Sequence, residues 1–279
     1  MKALWAGLLC AIVFAPSTVS ADQADAHYRL AKSYRAEGRY EDALREIDLA
    51  VAERPSSAEA HLTRGTILRR LGRNNDALSA FERAIQLQPD NGRAYGLAGA
   101  VMLRLNRTKP ALSYLKKATE LDPKDANHWL NLGVAYRKLG KNDAAIAAYQ
   151  KGLAQSPDDV LLLNNLGVAL RRDRKYDESI QVLEKANKLS PRDPNVTRNL
   201  AVAYRGAERY EEAVPVYLQA IDLNKDNAGM IFDLAVCYEK LGKNKAAIDT
   251  YERYIRVTKK SDPEAASRAK ATIERLKTQ

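Results

Sequence analysis

The side chains best suited to chemistry in this 279-residue chain are arginines, and they keep a period. Arg35, Arg69, Arg137, Arg171 and Arg205 fall on one 34-residue spacing, broken only where Leu103 and Glu239 take the same register. The next register position adds Arg70, Arg104, Lys138, Arg172 and Lys240. Six residues before the arginines stand Asn131, Asn165 and Asn199, a row continued by Asp233. A guanidinium offers a planar fork that a carboxylate can take with both oxygens, and a primary amide carries donors and acceptors suited to holding an extended backbone. Arginine is also a good helix former that solvates an exposed face. That plain role leaves unexplained why arginine, in place of a mixture of Glu, Lys and Gln, returns at one register in five of seven repeats.

Catalysis finds no comparable pattern. His27, His61 and His128 stand in separate stretches, with no carboxylate or cysteine at ligand spacing along the chain, so no metal is expected. Ser113 to Lys116 fits S-x-x-K but lacks the companion motifs of an acyl-enzyme. The glycines form no loop that would cradle phosphate. Neither an enzyme nor a cofactor is expected. Asn106 to Thr108 and Asn195 to Thr197 fit the glycosylation acceptor, which matters only in a eukaryotic host.

The first 21 residues differ in kind: Lys2, an uncharged apolar run from Ala3 to Ala15, Pro16, and a polar stretch ending Val19-Ser20-Ala21. This pattern predicts a secretory signal peptide cleaved before Asp22, and hence a periplasmic or secreted protein. The apolar run falls short of the roughly 20 residues that span a bilayer. Leu9 before Cys10 is too large for lipoprotein processing. Cleavage would leave 258 residues with one lysine fewer, lowering the formal charge from +10 to +9 and leaving no membrane segment. A basic exported chain points to acidic protein, anionic polymer or a lipid surface, while its compartment argues against nucleic acid. Cys237 becomes the last cysteine, so no intramolecular disulfide is expected, and a small apolar packing role suits it.

The elements that must carry the arginines are read from Ala126 to Asp159. Trp129, Leu132 and Tyr136, then Ile146, Tyr149 and Leu153, recur three and four apart, which predicts two amphipathic helices. Gly140 makes the turn between them; Gly133, Ala145 and Gly152 are small enough for a close crossing. The stretch repeats without insertion at 24–57, 58–91, 92–125, 126–159, 160–193, 194–227 and 228–261. The eighth residue is always Ala or Gly, and the twentieth is Ala in every copy but the fifth, which has Ser179. The first six copies end on Ser57, Asn91, Asp125, Asp159, Asp193 and Asn227, all good N-caps for the helix that follows. The third copy, with Gly96, Asn106 and Pro110, is expected to be the softest. Asp262 and Pro263 then open a closing helix in 262–279, with Ala266, Ala269, Ile273 and Leu276 on its apolar face.

This period and these signature positions resemble the tetratricopeptide repeat over residues 24–261. The resemblance implies an all-α solenoid of seven hairpins in a right-handed superhelix, capped by the closing helix. It also implies a concave groove lined by the second, fifth, sixth, ninth, twelfth and thirteenth residues of the first helices. Those positions include Arg35, Arg69, Arg70, Arg104, Asn131, Arg137, Lys138, Asn165, Arg171, Arg172, Asn199 and Arg205, with Val134, Val168, Val202 and Val236 at the ninth. The lysine and asparagine set of chaperone-tail clamps is not reproduced, since Tyr28, Lys32, Thr63, Arg93 and Leu97 occupy its places. The expected function is an exported, non-catalytic adaptor that holds an extended acidic protein segment and supports assembly or localisation of an envelope or secreted complex. The alternative is a scaffold for anionic exopolysaccharide export.

Overall fold

The computed structural model describes residues 18–278. Most of the predicted leader lies outside them; the first helix begins at Thr18 and runs through the expected cleavage point. Among the described residues there are fifteen α-helices and no strand.

The helices fall into two compact units that divide between Arg107 and Thr108, inside the third copy. The first unit holds α1 (Thr18–Ala36), α2 (Tyr40–Glu53), α3 (Ala58–Arg70), α4 (Asn74–Leu87) and α5 (Gly92–Arg104). The second opens with α6 (Thr108–Leu121). It continues through the pairs α7 (Ala126–Lys138) and α8 (Asn142–Gln155), α9 (Val160–Arg172) and α10 (Tyr176–Leu189), α11 (Pro194–Gly206) and α12 (Tyr210–Leu223), and α13 (Ala228–Lys240) and α14 (Asn244–Thr258), then closes on α15 (Pro263–Lys277). In chain order these make seven helix pairs and a closing helix. Within each unit a helix packs on its partner, and the second helix of one copy packs on the first of the next.

Caps start the first helices. Ser57, Asn91, Asp125, Asp159, Asp193 and Asn227 each accept a hydrogen bond from a backbone N–H in the first turn that no carbonyl of the helix can reach. The turns inside the pairs work differently. Gly38, Gly72, Gly140 and Gly242 have φ between 66° and 78°, and the residue after each donates to a carbonyl five back, as Lys141 does to Tyr136 at 3.0 Å. Asn106, Arg174 and Glu208 take the same left-handed conformation, with φ of 57°, 60° and 60°. The expectation marked only Asn106 as a departure there; Arg174 and Glu208 depart as well. Left-handed backbone costs an L-residue roughly 1–2 kcal/mol, and glycine gives back part of that as chain entropy. Glu208→Gly should therefore raise stability by about 0.5–1 kcal/mol, read as a higher denaturant midpoint. A lower midpoint would contradict this account of the turn.

Small residues set the crossings. A methyl at Gly133 would lie 2.3 Å from Cε1 of Tyr149; at Gly167, 2.4 Å from Cγ of Leu183; at Gly65, 2.5 Å from Cε1 of Phe81. The large partner comes from the second helix of the same copy in each case. Ser179 keeps the twentieth position small and donates its hydroxyl to the Gly167 carbonyl at 2.7 Å. Each repeat shares its core with the next: Leu183, Leu200, Tyr217, Ile221, Ile231 and Leu234 form one buried cluster spanning three copies. At the end of the chain, α15 buries Ala269, Ile273 and Leu276 against Ala235, Ala247 and Tyr251.

Candidate acidic-segment face

Arg137, Arg171 and Arg205 stand in the last turns of α7, α9 and α11, where unpaired carbonyls favour a cation. These first helices also touch one another in order, α7 with α9, α9 with α11 and α11 with α13, so the arginines come one repeat apart on a shared face of the second unit. In the first unit α1 meets α3 and α3 meets α5, and Arg35 and Arg69 recur in the same way.

The row is not simply solvated. The four arginines after Arg35 are half-buried, and the Nε atoms of Arg69, Arg137, Arg171 and Arg205 are buried without a hydrogen-bond partner. Buried polar atoms are satisfied in the great majority of cases, so four exceptions at one register call for a cause. Burial pulls the Arg69 and Arg171 guanidinium groups below the ordinary arginine value, and the adjacent Arg70 and Arg172 add to the shift. Both are cations held partly out of water with like charges beside them. The thirteenth-position residues Arg70, Arg104, Lys138 and Arg172 are exposed.

Arg205 is the exception, and its surroundings show what the others lack. Its guanidinium lies 3.5 Å from Oδ1 of Asp233 on α13, and the Tyr217 hydroxyl donates to Oδ2 of the same carboxylate at 3.2 Å. Desolvation acts on Arg205 too, but Asp233 and Tyr217 outweigh it and carry the guanidinium above its ordinary value. Burial holds the Asp233 carboxyl above the usual range against the pull of Arg205 and the Tyr217 hydrogen bond. One copy further on, Glu239 takes the arginine register, accepts from the Tyr251 hydroxyl at 2.9 Å, and is met at 2.6 Å by Arg275 of α15. The chain thus supplies its own counter-charges at this end. Arg205→Ala should cost about 1 kcal/mol after allowance for solvent screening, because Asp233 stays behind half-buried. Arg171→Ala, which strands no carboxylate, should cost less; equal shifts in melting temperature would contradict the distinction.

The asparagines divide likewise. Asn131 is half-buried. Asn165 Nδ2 donates to the Leu161 carbonyl one turn back at 2.8 Å, and Asn199 is buried, donating to Oδ1 of Asn164 on the neighbouring first helix at 2.8 Å. Asn199 thereby ties α11 to α9.

Elsewhere the structure adds detail that spacing did not show. Carboxylates do stand beside two of the histidines, contrary to expectation. His27 Nδ1 lies 2.7 Å from Glu46 Oε2. His128 is buried with Nε2 3.7 Å from Asp125 Oδ2, and Asp122 joins them, with ligand atoms within 4.8 Å of one another. The reason is the chain path, since the cap residue Asp125 sits one helical turn before His128 and the turn folds Asp122 back over both. The other Asp125 oxygen already caps α7 through the Asn127 N–H at 2.8 Å. Ser113 donates its hydroxyl to the Pro110 carbonyl at 2.8 Å, a helix contact. Cys237 is buried, and burial pushes its thiol up to about 11, in keeping with a packing role. No helix among the described residues is long and apolar enough to cross a membrane.

No curated protein sequence matches the chain. Among solved structures, the PilF protein of Pseudomonas aeruginosa is similar over 75% of this chain and 95% of its own length, at 20% identity and a TM-score of 0.66. MamA from Desulfovibrio magneticus RS-1 is similar over 61% of this chain and 96% of its own, at 25% identity and a TM-score of 0.57. YrrB, described as a TPR protein with an unusual peptide-binding site, is similar over 66% and 95%, at 21% identity and a TM-score of 0.58. A tetratricopeptide-repeat profile matches residues 19–58, 28–92, 103–160, 130–194 and 198–266, and a second profile of the same description matches 68–130. The chain belongs to the tetratricopeptide-repeat family.

Proposed function

We propose that this chain is an exported adaptor that holds an extended acidic segment of a protein partner against the arginine face of its first helices. Arrays of this family are generally non-catalytic and bind peptides or proteins, and YrrB is described by its peptide-binding site. The observation that carries the acidic reading is the contrast along the row. All four Nε atoms are buried without a partner, but Arg205 has a carboxylate from the next copy at 3.5 Å, whereas Arg69, Arg137 and Arg171 form no ion pair among the described residues. An arginine held partly desolvated without a counter-charge is poised for one brought by a ligand, where the charge-assisted bond is worth more than in water. The export reading rests on residues 1–21, and the basic balance suits an acidic partner in an envelope or secreted complex.

Competition tests the reading. A labelled acidic peptide should bind the purified chain, and a polyuronate of matched charge should fail to displace it. Displacement by polyuronate would favour a polysaccharide-export scaffold, and absence of peptide binding would remove the acidic-segment reading.

A further inference from the structure

The first turn of α7 carries a group that the arginine row does not use. His128 is 3% exposed, and its Nε2 is buried with no hydrogen-bond partner. Buried polar atoms are partnered in the great majority of cases, so this lone imidazole nitrogen calls for a cause. Packing does not supply one. The third residue of copies two to seven is buried throughout, and elsewhere it is Ala60, Ala94, Leu162, Val196 or Met230. Two carboxylates stand beside the nitrogen. Asp125 Oδ1 accepts from the Asn127 N–H at 2.8 Å and from Asn127 Nδ2 at 3.0 Å, which fixes the carboxylate and leaves Oδ2 3.7 Å from His128 Nε2. That separation is too long for a hydrogen bond. Asp122 directly follows α6, its N–H donating to the Ala118 carbonyl at 2.9 Å, and Trp129 Nε1 pins the intervening turn through the Pro123 carbonyl at 2.7 Å. One ligand atom from each of Asp122, Asp125 and His128 lies within 4.8 Å of the other two. The combination occurs at this junction alone: no other copy has a carboxylate at the register of Asp122, and the caps Asp159 and Asp193 are followed three residues on by Leu162 and Val196.

We propose that Asp122, Asp125 and His128 bind one zinc ion, with water as the fourth ligand. Zinc takes imidazole nitrogen and carboxylate oxygen at about 2.0–2.2 Å, so two of its ligands stand at most about 4 Å apart. His128 and Asp125 already meet that limit at 3.7 Å. Asp122 is exposed, so its side chain is free to turn in over the remaining distance. The ion enters from the solvent side, where Asp125 keeps 30% of its side chain exposed, and meets the buried nitrogen behind the carboxylates. Two carboxylates also offset the positive end of the α7 dipole, which on its own repels a cation. The imidazole sets the class of metal, since calcium and magnesium take oxygen ligands. Zinc here ties the residue after α6 to the first turn of α7, across the boundary between the third and fourth copies.

The test is a zinc titration of the full chain, free of any affinity tag and stripped of metal with a chelator, followed by calorimetry in excess magnesium. The native chain should bind one zinc. Asp122→Asn, at an exposed position, and His128→Leu, which places the Leu162 side chain of the next copy at the same register, should each weaken zinc by at least about tenfold, an effect seen even when a supporting group at a metal site is lost. Asp122→Asn keeps the test decisive should the leucine variant misfold. His27→Gln removes the other histidine that lies beside a carboxylate, Glu46, and should leave the affinity at its native value. Absence of zinc binding by the native chain, or binding undiminished in either Asp122→Asn or a folded His128→Leu chain, would overturn the site. Loss of binding in His27→Gln would place the ion elsewhere and overturn it as well, and displacement of zinc by the magnesium would overturn the role given to the imidazole.

Discussion

Gly133→Leu should destabilise the second unit by about 3 kcal/mol, at the upper end of the range for overpacking a filled site. The Cβ alone would sit 2.3 Å from Cε1 and 2.6 Å from Cδ1 of Tyr149. That ring is fully buried and packs within a cluster that includes Ala145 and Ile146 of its own helix and Leu162 and Leu166 of α9, so it has nowhere to swing. The effect should be graded. Two copies later Ala201 and Tyr217 hold the same registers and are both buried in one cluster, so this fold accommodates a methyl at that position opposite a tyrosine. Gly133→Ala should accordingly cost much less than Gly133→Leu. Urea unfolding reads both, and an unchanged midpoint for the leucine variant would show that the crossing at Gly133 is not close-packed.

The fold was legible because its determinants are local and repeat. Each cap, turn glycine and small crossing residue lies within one 34-residue period, so Asp159 or Gly133 could be read from its neighbours and confirmed by its equivalents. What escaped were interactions set by one copy on another. Asp233 looked like a continuation of the asparagine row, and only the packing of α11 on α13 shows that its charge satisfies Arg205. Glu239 looked like a break in the arginines, yet it is the acceptor that receives Arg275 from the closing helix. Arg174 and Glu208 were missed at the turns because neither residue type announces positive φ. The division between Arg107 and Thr108 falls in the copy already marked as irregular by Gly96, Asn106 and Pro110. The register of the arginine row was plain in the sequence; its division into self-paired and open members needed the side-chain geometry.

Arg137→Ala together with Arg171→Ala should abolish most acidic-segment binding while leaving the fold nearly as stable as before. The two guanidinium groups have buried Nε atoms with no hydrogen-bond partner, so their removal relieves a desolvation cost that offsets the packing lost with their aliphatic stems. The net change in stability should stay within about 0.5 kcal/mol. Binding should respond differently, since losing one partner of a desolvated charge pair costs about 2–5 kcal/mol. Lys151 and Lys185 provide the comparison. They lie on second helices, Lys151 over the Trp129 ring at 4.9 Å and Lys185 paired with Asp158 at 2.9 Å, and each is largely solvated. Removing them takes the same charge from the chain without touching the row, and exposed pairs of this kind contribute at most about 1 kcal/mol.

The most direct measurement is an equilibrium titration of one labelled acidic peptide against three proteins at one salt concentration: the native chain, Arg137→Ala/Arg171→Ala, and Lys151→Ala/Lys185→Ala. The arginine variant should bind about thirtyfold more weakly or worse, and the lysine variant no more than about fivefold more weakly than native. Equal affinities for the two variants would contradict the central claim, because the arginine row would then be a solvated helix face whose charges act only through their number.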